Sequence, residues 1–393
     1  MSKKRILIFS LSYHPDVGGA EIAIKAITDR IGTSEIEFSV ITQRFNAQTP
    51  REERMGNVSV YRVGSGSSYL SKIFFIPRAA HKAFQLNKKR PFDAFWAMMS
   101  YMVFPIVLLR FRGIRIPYAV TLQEGDPFEH VFRRLRLAPF LPLLRVGFRH
   151  AAVVQAISTF LGAWSRQMGF TGPLEIIPNG VDSAAFLREF PNNKLQPVLN
   201  KIHKKSGDVF LVTTSRLVHK NADDDIIRAL AKLPEHIKCV VVGSGPEEHK
   251  LKSFARAHGV SERMYFLGHV DYADIPLYLK VSDIFVRPSR SEGMGNSFIE
   301  AMAAGLPVIA TQEGGIADFL FDAKCNPGKP PTGFAVDKDA PEQIAEMVTY
   351  ILTHPDEVKR TVKNAREFVA EKYDWNHIAR DMKAKIFGRL LGA

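Results

Sequence analysis

Only two cysteines, Cys239 and Cys325, occur in 393 residues, and they sit at no ligand-like spacing. A disulfide framework and a zinc site are both excluded, and the thiols read as the reduced cysteines of a cytoplasmic protein. No full G-x-G-x-x-G occurs, which takes support from a nicotinamide-dinucleotide site. Long apolar runs are also missing. The longest, Ala94 to Leu109, spans 16 residues, contains Ser100 and is broken by Pro105, too short for a membrane span and better read as a buried strand and helix. The opening Met-Ser-Lys-Lys-Arg and Ile6 to Ser10 run at once into His14-Pro15-Asp16, so the segment predicts a first strand and not a signal sequence. There is no internal repeat, low-complexity tract or heptad pattern.

The composition, 46% hydrophobic and 24% charged, is that of a soluble globular protein. The length exceeds what a single core sustains and predicts two domains of roughly 190 residues. Residues 1–190 carry 25 lysines and arginines against 14 acids, and the remainder 28 against 26, so the net charge of +13 belongs to the first half. Within it, residues 131–150 hold Arg133, Arg134, Arg136, Arg145 and Arg149, no acid, and interleaved leucines and phenylalanines. Lys82, Lys88, Lys89 and Arg90 add a second basic cluster. Basic residues mixed with large apolar ones suit a segment held at an anionic lipid surface. An amphipathic helix with a solvated arginine face is the ordinary alternative. Nucleic acid ranks lower as a partner, because no nucleic-acid-binding motif accompanies the charge.

The first half alternates β-like runs (Arg5–Ser10, Glu37–Thr42, Val58–Val63, Pro117–Leu122, Ala152–Ile157, Leu174–Ile177) with helical stretches such as Ala20–Ile31. After a polar segment at 190–206 the rhythm restarts with Val209–Thr214, Cys239–Val242, Met264–Leu267, Asp283–Val286 and Pro307–Thr311. This predicts an α/β protein of two Rossmann-like domains with parallel sheets facing across a cleft, over residues 1–195 and 206–373. Residues 374–393, with Ile378, Met382, Ile386 and Leu390 at helical spacing, predict a terminal helix packing back toward the N-terminal domain.

The most informative stretch is Ser291-Glu-Gly-Met-Gly-Asn-Ser-Phe-Ile-Glu300, which follows a β-rich run and leads into an apolar helix. Ligands of open α/β sheets bind at the carboxyl ends of strands, near helix N-termini. A glycosidase carboxylate pair is disfavoured. Eight helical steps of about 1.5 Å would separate the α-carbons of Glu292 and Glu300 by roughly 12 Å, against about 5 Å between the carboxyls of retaining glycosidases. The two acids are therefore expected on different parts of one elongated ligand. Upstream, Arg216 and Lys220 follow a strand and can neutralise a diphosphate. Asp223-Asp224-Asp225 is read as acids opposing a helix dipole, and no metal is assigned. Gly243-Ser-Gly-Pro246 is a tight turn that admits either ligand or another element. Phe266-Leu-Gly-His-Val270 closes a further strand, whose backbone can meet a base edge.

In the order R-x3-K, G-x-G, F-x-G-x-V, E-G-x-G-x4-E-A-M-A-A-G-x-P-V-I-A-T and G-G, residues 213–316 resemble the donor domain of retaining glycosyltransferases of family 4, which have the GT-B fold. Gly18-Gly19-Ala20-Glu21 and Ile177-Pro-Asn-Gly-Val-Asp182 match more loosely. The resemblance implies a nucleoside-diphosphate sugar as donor, no cofactor and no metal. It implies catalytic roles for Arg216 and Lys220 on the diphosphate and for Glu292 on the donor sugar, with Glu300 on the ribose. Gly18, Gly19, Gly243, His269, Val270, Gly293, Met294, Gly295 and Asn296 are the remaining donor-site candidates. The acceptor would be a lipid-linked saccharide or polysaccharide, and the enzyme a cytoplasmic hexosyltransferase peripheral to the inner face of the membrane. A sugar-nucleotide 2-epimerase or soluble polysaccharide synthase on the same fold is the alternative, and a non-catalytic membrane-associated partner of other transferases is another. Two departures stand out. Gln123 occupies the place of a common histidine, and can donate to a hydroxyl but cannot act as a base, which makes Glu124 and Asp126 further acceptor-site candidates. Lys220 lies one residue nearer to Arg216 than is usual, and Asn221 replaces the glycine that commonly follows the lysine.

Overall fold

Alternating short apolar runs and helices fold into two α/β units in the computed structural model, which describes residues 3–16 and 18–392. One unit comprises residues 1–180 with 375–393, the other residues 181–374. The segment at 190–206, read from sequence as a linker, lies inside the second unit, where Asn192–Lys201 is helical.

The first unit holds β1 (Lys4–Phe9), β2 (Ile36–Gln43), β3 (Glu52–Met55), β4 (Val58–Val63), β5 (Ala94–Met98), β6 (Tyr118–Leu122), β7 (Val153–Ala156) and β8 (Leu174–Ile176). Among the described residues they form one sheet in the order β3-β4-β2-β1-β5-β6-β7-β8, parallel except for the β3/β4 pair. The central β5, β6 and β7 are buried along their whole length, whereas β4 alternates between buried and half-buried positions. Helices on both faces leave the central strands no solvated side, which is why those runs carry no polar alternation. The apolar stretch 94–109 divides as expected: Ala94–Met98 is strand β5, and Val103–Phe111 forms a helix. Among the described residues no helix is long and apolar enough to cross a membrane.

Residues 375–391 are helical and bury Trp375, Ile378, Met382, Ile386, Phe387 and Leu390 in the same core as Ile6, Ile8, Phe38 and Trp96. The Phe387 ring lies edge-on to Trp96 at 5.2 Å between centroids.

The second unit holds β9 (Val209–Thr214), β10 (Ile237–Val242), β11 (Met264–Gly268), β12 (Ile284–Arg287), β13 (Val308–Ala310) and β14 (Phe334–Ala335). The sheet is wholly parallel, in the order β11-β10-β9-β12-β13-β14. Its core gathers Leu211, Ile227, Leu230, Val241, Val286 and Ile309. Every strand therefore ends on the same edge, and the loops that follow are neighbours by topology alone.

Candidate functional site

That carboxyl edge of the second sheet carries most of the donor-site candidates. Arg216 follows β9, Gly243 follows β10, His269 and Val270 follow β11, and Glu292 follows β12. The Arg216 side chain is exposed and makes no hydrogen bond or ion pair among the described residues. Lys220 is half-buried, in a short 3-10 turn (His219–Asn221) that ends at Ala222 with φ +58°. That turn is held from outside: Arg290 donates from its backbone N–H to the Lys220 carbonyl at 2.7 Å and from Nη1 to the His219 carbonyl at 2.8 Å. The same guanidinium grips Asp224 and Asp225. Burial works against it, but Arg290 and Arg228 still hold the Asp224 carboxyl below the ordinary range. Asp224 and Asp225 are thus engaged within the protein. Asp223 is buried with no hydrogen-bond partner for either oxygen among the described residues, and burial, opposed by the nearby charge of Arg287, pushes it up to about 7.

Glu292 and Glu300 are both buried, 7% and 6% exposed. Glu292 Oε1 accepts from the Gly293 N–H at 3.1 Å, and Oε2 pairs with Arg287 Nη2 at 2.5 Å. Its carbonyl accepts from Gly315 N–H at 3.0 Å, which brings in the glycine pair that follows β13. The helix Asn296–Ala304 begins at Gly295, whose φ of +84° and contact with the Phe298 ring leave no room for a Cβ. Met294 is buried, and Asn296 is half-buried at the helix start. Glu300 lies one turn further along that helix. Burial raises its carboxyl to about 7, against the lowering effects of a hydrogen bond from Tyr272 and the charge of Arg287. At neutral pH both protonation states of Glu300 are therefore populated.

The G-x-G turn is spent on protein contacts. A Cβ on Gly243 would lie 1.8 Å from the Ser215 carbonyl oxygen, and one on Gly245 2.2 Å from that of Leu217. The glycines let the loop after β10 press onto the loop that carries Arg216. His269 is exposed and its ring lies 3.7 Å from Asp271, while Val270 is half-buried.

In the first unit, Gly18 caps the helix Gly19–Asp29, and its N–H donates to Glu21 Oε2 at 2.7 Å. Both glycines are exposed. Gln123 and Asn179 exchange two amide hydrogen bonds of 3.1 Å, so the glutamine is oriented by the Ile-Pro-Asn-Gly segment. The Glu124 carboxylate is buried and occupied, accepting from Ser100 N–H at 2.7 Å and Gln123 N–H at 2.9 Å, and burial raises its pKa. Asp126 is half-buried nearby. Arg133, Arg134, Arg136, Arg145 and Arg149 are all exposed. The apolar residues between them divide. Val131, Phe132, Leu144 and Phe148 enter the core, whereas Leu135 is 91% exposed and Phe140 55%. The helix Tyr69–Lys89 adds exposed Tyr69, Leu70, Ile73 and Phe74, and Arg136 stands 5.7 Å from the Tyr69 ring centroid.

Sequence reasoning missed Arg287, Arg290 and Tyr272, and named Asn221 only as a departure from the family pattern. A signal existed for the first two: arginines flank Pro288-Ser289 at the end of an otherwise apolar strand, and a charge closing a buried strand needs a partner.

A family profile described as "Glycosyltransferase Family 4" matches residues 17–185, and one described as "Glycosyl transferases group 1" matches residues 197–368. A GDP-mannose-dependent alpha-(1-6)-phosphatidylinositol monomannoside mannosyltransferase of Mycobacterium tuberculosis is 28% identical over 61% of this chain. That match spans 63% of the mycobacterial protein's length. The alpha-monoglucosyldiacylglycerol synthase of Acholeplasma laidlawii is 22% identical over 92% of this chain and 91% of its own. Among solved structures, sucrose-phosphate synthase of Thermosynechococcus elongatus superposes with a TM-score of 0.85 over 100% of both chains at 18% identity, a likeness of fold.

Proposed function

The chain belongs to the family 4 glycosyltransferases, with the GT-B fold, and from that premise we propose that it moves a hexose, with retention at the anomeric carbon, from a nucleoside-diphosphate sugar to a lipid-linked or polysaccharide acceptor at a membrane surface. The observation that carries this reading is the gathering of an exposed Arg216 and the buried acids Glu292 and Glu300 on the loops and helix that leave one parallel sheet edge. Arg216 and Lys220 neutralise the diphosphate and stabilise the charge that grows on it as the glycosidic bond breaks. Glu292 accepts hydrogen bonds from hydroxyls of the donor sugar, and Glu300 from those of the ribose. Glu292 is committed to Arg287 and the Gly293 N–H, which suits an acceptor of hydrogen bonds better than a nucleophile. Retention then proceeds by same-face attack: the C1–O bond to phosphate breaks, the acceptor oxygen bonds to C1, and its proton passes to a phosphate oxygen.

Thermal unfolding with UDP, GDP, ADP and NAD added separately tests the donor site. A ligand at about 100 times its dissociation constant adds roughly 2.7 kcal/mol of stability. One nucleoside diphosphate is expected to raise the melting temperature, and Arg216→Ala to erase that rise. No rise with any of them would favour a non-catalytic member of the fold. Interconversion of donor sugars without an acceptor would favour an epimerase.

The names of the mycobacterial and Acholeplasma proteins point to lipid acceptors for those enzymes, and the exposed Leu135, Phe140, Tyr69 and Phe74 among arginines support a lipid-facing surface here. Each basic residue near an anionic surface contributes about 1 kcal/mol. Vesicles with phosphatidylglycerol should therefore sediment the protein far better than phosphatidylcholine alone. Equal sedimentation would remove the membrane surface from the proposal.

A further inference from the structure

Arg287, the last residue of β12, is 7% exposed and is the guanidinium around which the donor-site side chains are arranged. Nη1 donates to Ser297 Oγ at 2.7 Å, in the first turn of the helix that carries Glu300. Nη2 donates to Asn221 Oδ1 at 3.0 Å and to Glu292 Oε2 at 2.5 Å. The guanidinium carbon sits 5.1 Å from the centroid of the Phe298 ring. Asn221 in turn donates from Nδ2 to the Arg216 carbonyl at 2.6 Å. A buried cation with three side-chain acceptors has a fixed orientation, and it fixes theirs. The Nε–H is also buried and has no acceptor among the described residues, so the three bonds of the guanidinium come from its two terminal nitrogens. The turn through Asn221 and Ala222 makes this possible. Asn221 is 2% exposed and points its short amide at the guanidinium, bridging the end of β12 to the backbone of Arg216.

We propose that Arg287 is a positioning residue of the donor site, holding the Glu292 carboxylate aimed so that it reads the sugar half of a nucleoside-diphosphate sugar. The inference rests on the donor-site reading above, and it divides the site in two. Arg216 lies outside the Arg287 cluster except through its backbone, so the diphosphate half depends on Arg216 and Lys220. The sugar half depends on the buried pair.

The test separates those halves. Affinities for the free nucleoside diphosphate and for the corresponding nucleotide sugar are measured in Arg287→Met, Glu292→Gln and the double variant, together with kcat and KM for transfer. In Arg287→Met the nucleoside diphosphate should bind within about threefold of the unsubstituted protein. The nucleotide sugar should lose about tenfold to a hundredfold, the worth of a charge-assisted hydrogen bond. Added to Glu292→Gln, the second substitution should cost little more, because the carboxylate that Arg287 positions is already gone. Arg287→Lys keeps the charge with a different geometry and should recover part of the loss, which also serves if the methionine variant fails to fold. Unchanged nucleotide-sugar affinity in a folded Arg287→Met, or full additivity in the double variant, would overturn the inference. If the unsubstituted protein binds no nucleoside diphosphate at all, the donor-site reading fails and the inference falls with it.

Discussion

Glu292→Gln should lower kcat/KM for transfer by about a hundredfold to a thousandfold while the protein stays folded, because the carboxylate proposed to accept hydrogen bonds from sugar hydroxyls becomes an amide in a buried site. The amide keeps an oxygen for Arg287 Nη2 and fills the same space. Glu292→Ala should lose as much activity and behave differently in unfolding. Both variants lose the charge, but alanine also takes the acceptor away from Arg287 Nη2 in a pair whose side chains are each 9% exposed, and leaving a buried charged donor without an acceptor costs about 1–3 kcal/mol more. The two variants therefore separate chemistry from architecture. Steady-state transfer and urea unfolding are measured on both. Near-normal turnover in a folded Glu292→Gln would end the assignment of this carboxylate to the donor sugar, and equal unfolding midpoints would mean that Arg287 finds another partner.

Strands were the most legible part of this chain. Runs such as Val58–Val63 and Val209–Thr214 coincide with observed strands end to end, because short β-branched runs flanked by turn residues have few other uses. β3 escaped notice for a physical reason. Glu52–Met55 is an edge strand of charged residues, and its place in the sheet comes from pairing with β4 and not from its own pattern. The two-residue β14 was too short to carry any signal. Residues 190–206 read as a linker because the segment is polar and holds Pro191 and Pro197, yet Pro191 precedes the first turn of a helix, where proline is tolerated.

The candidate site was half legible. Glu292, Glu300 and Arg216 announce themselves as charges beside glycine turns, and local order suffices to find them. The partnership of Arg287 with Asn221 joins positions 66 residues apart, and no local pattern encodes it. Lys220 illustrates the same limit. Its spacing from Arg216 was visible, but that the turn closes at Ala222, with Asn221 facing inward, depends on the left-handed backbone at that alanine. Likewise, Glu124 reads from sequence as an acceptor-site candidate, whereas the fold hands it two backbone N–H groups and buries it.

Gly243→Ala should be the most damaging single methyl group in the second unit, lowering its stability by about 3 kcal/mol. Two effects add. The backbone holds φ at +138°, outside the range of an L side chain, and the new Cβ would lie 1.8 Å from the Ser215 carbonyl oxygen and 2.9 Å from its carbonyl carbon. Neither neighbour can yield cheaply. Ser215 N–H is bonded to the Val242 carbonyl at 3.0 Å, Leu217 N–H to the Ser244 carbonyl at 3.0 Å, and Gly243 N–H to the Gly268 carbonyl at 2.8 Å. Moving the loop therefore breaks the lacing between the ends of β9, β10 and β11 and displaces the segment that carries Arg216. Gly259→Ala is the matched control. Gly259 also has positive φ, +70°, but nothing lies within 4 Å of the added carbon, so only the conformational cost of about 1 kcal/mol applies. Urea midpoints of the two variants, with and without the stabilising nucleoside diphosphate, measure the difference. A Gly243→Ala protein as stable as Gly259→Ala but unable to bind nucleotide would mean that the glycine makes room for the ligand. A large loss of stability in the absence of nucleotide would mean that it makes room for Ser215, and that the G-x-G motif serves the donor site by setting where Arg216 stands.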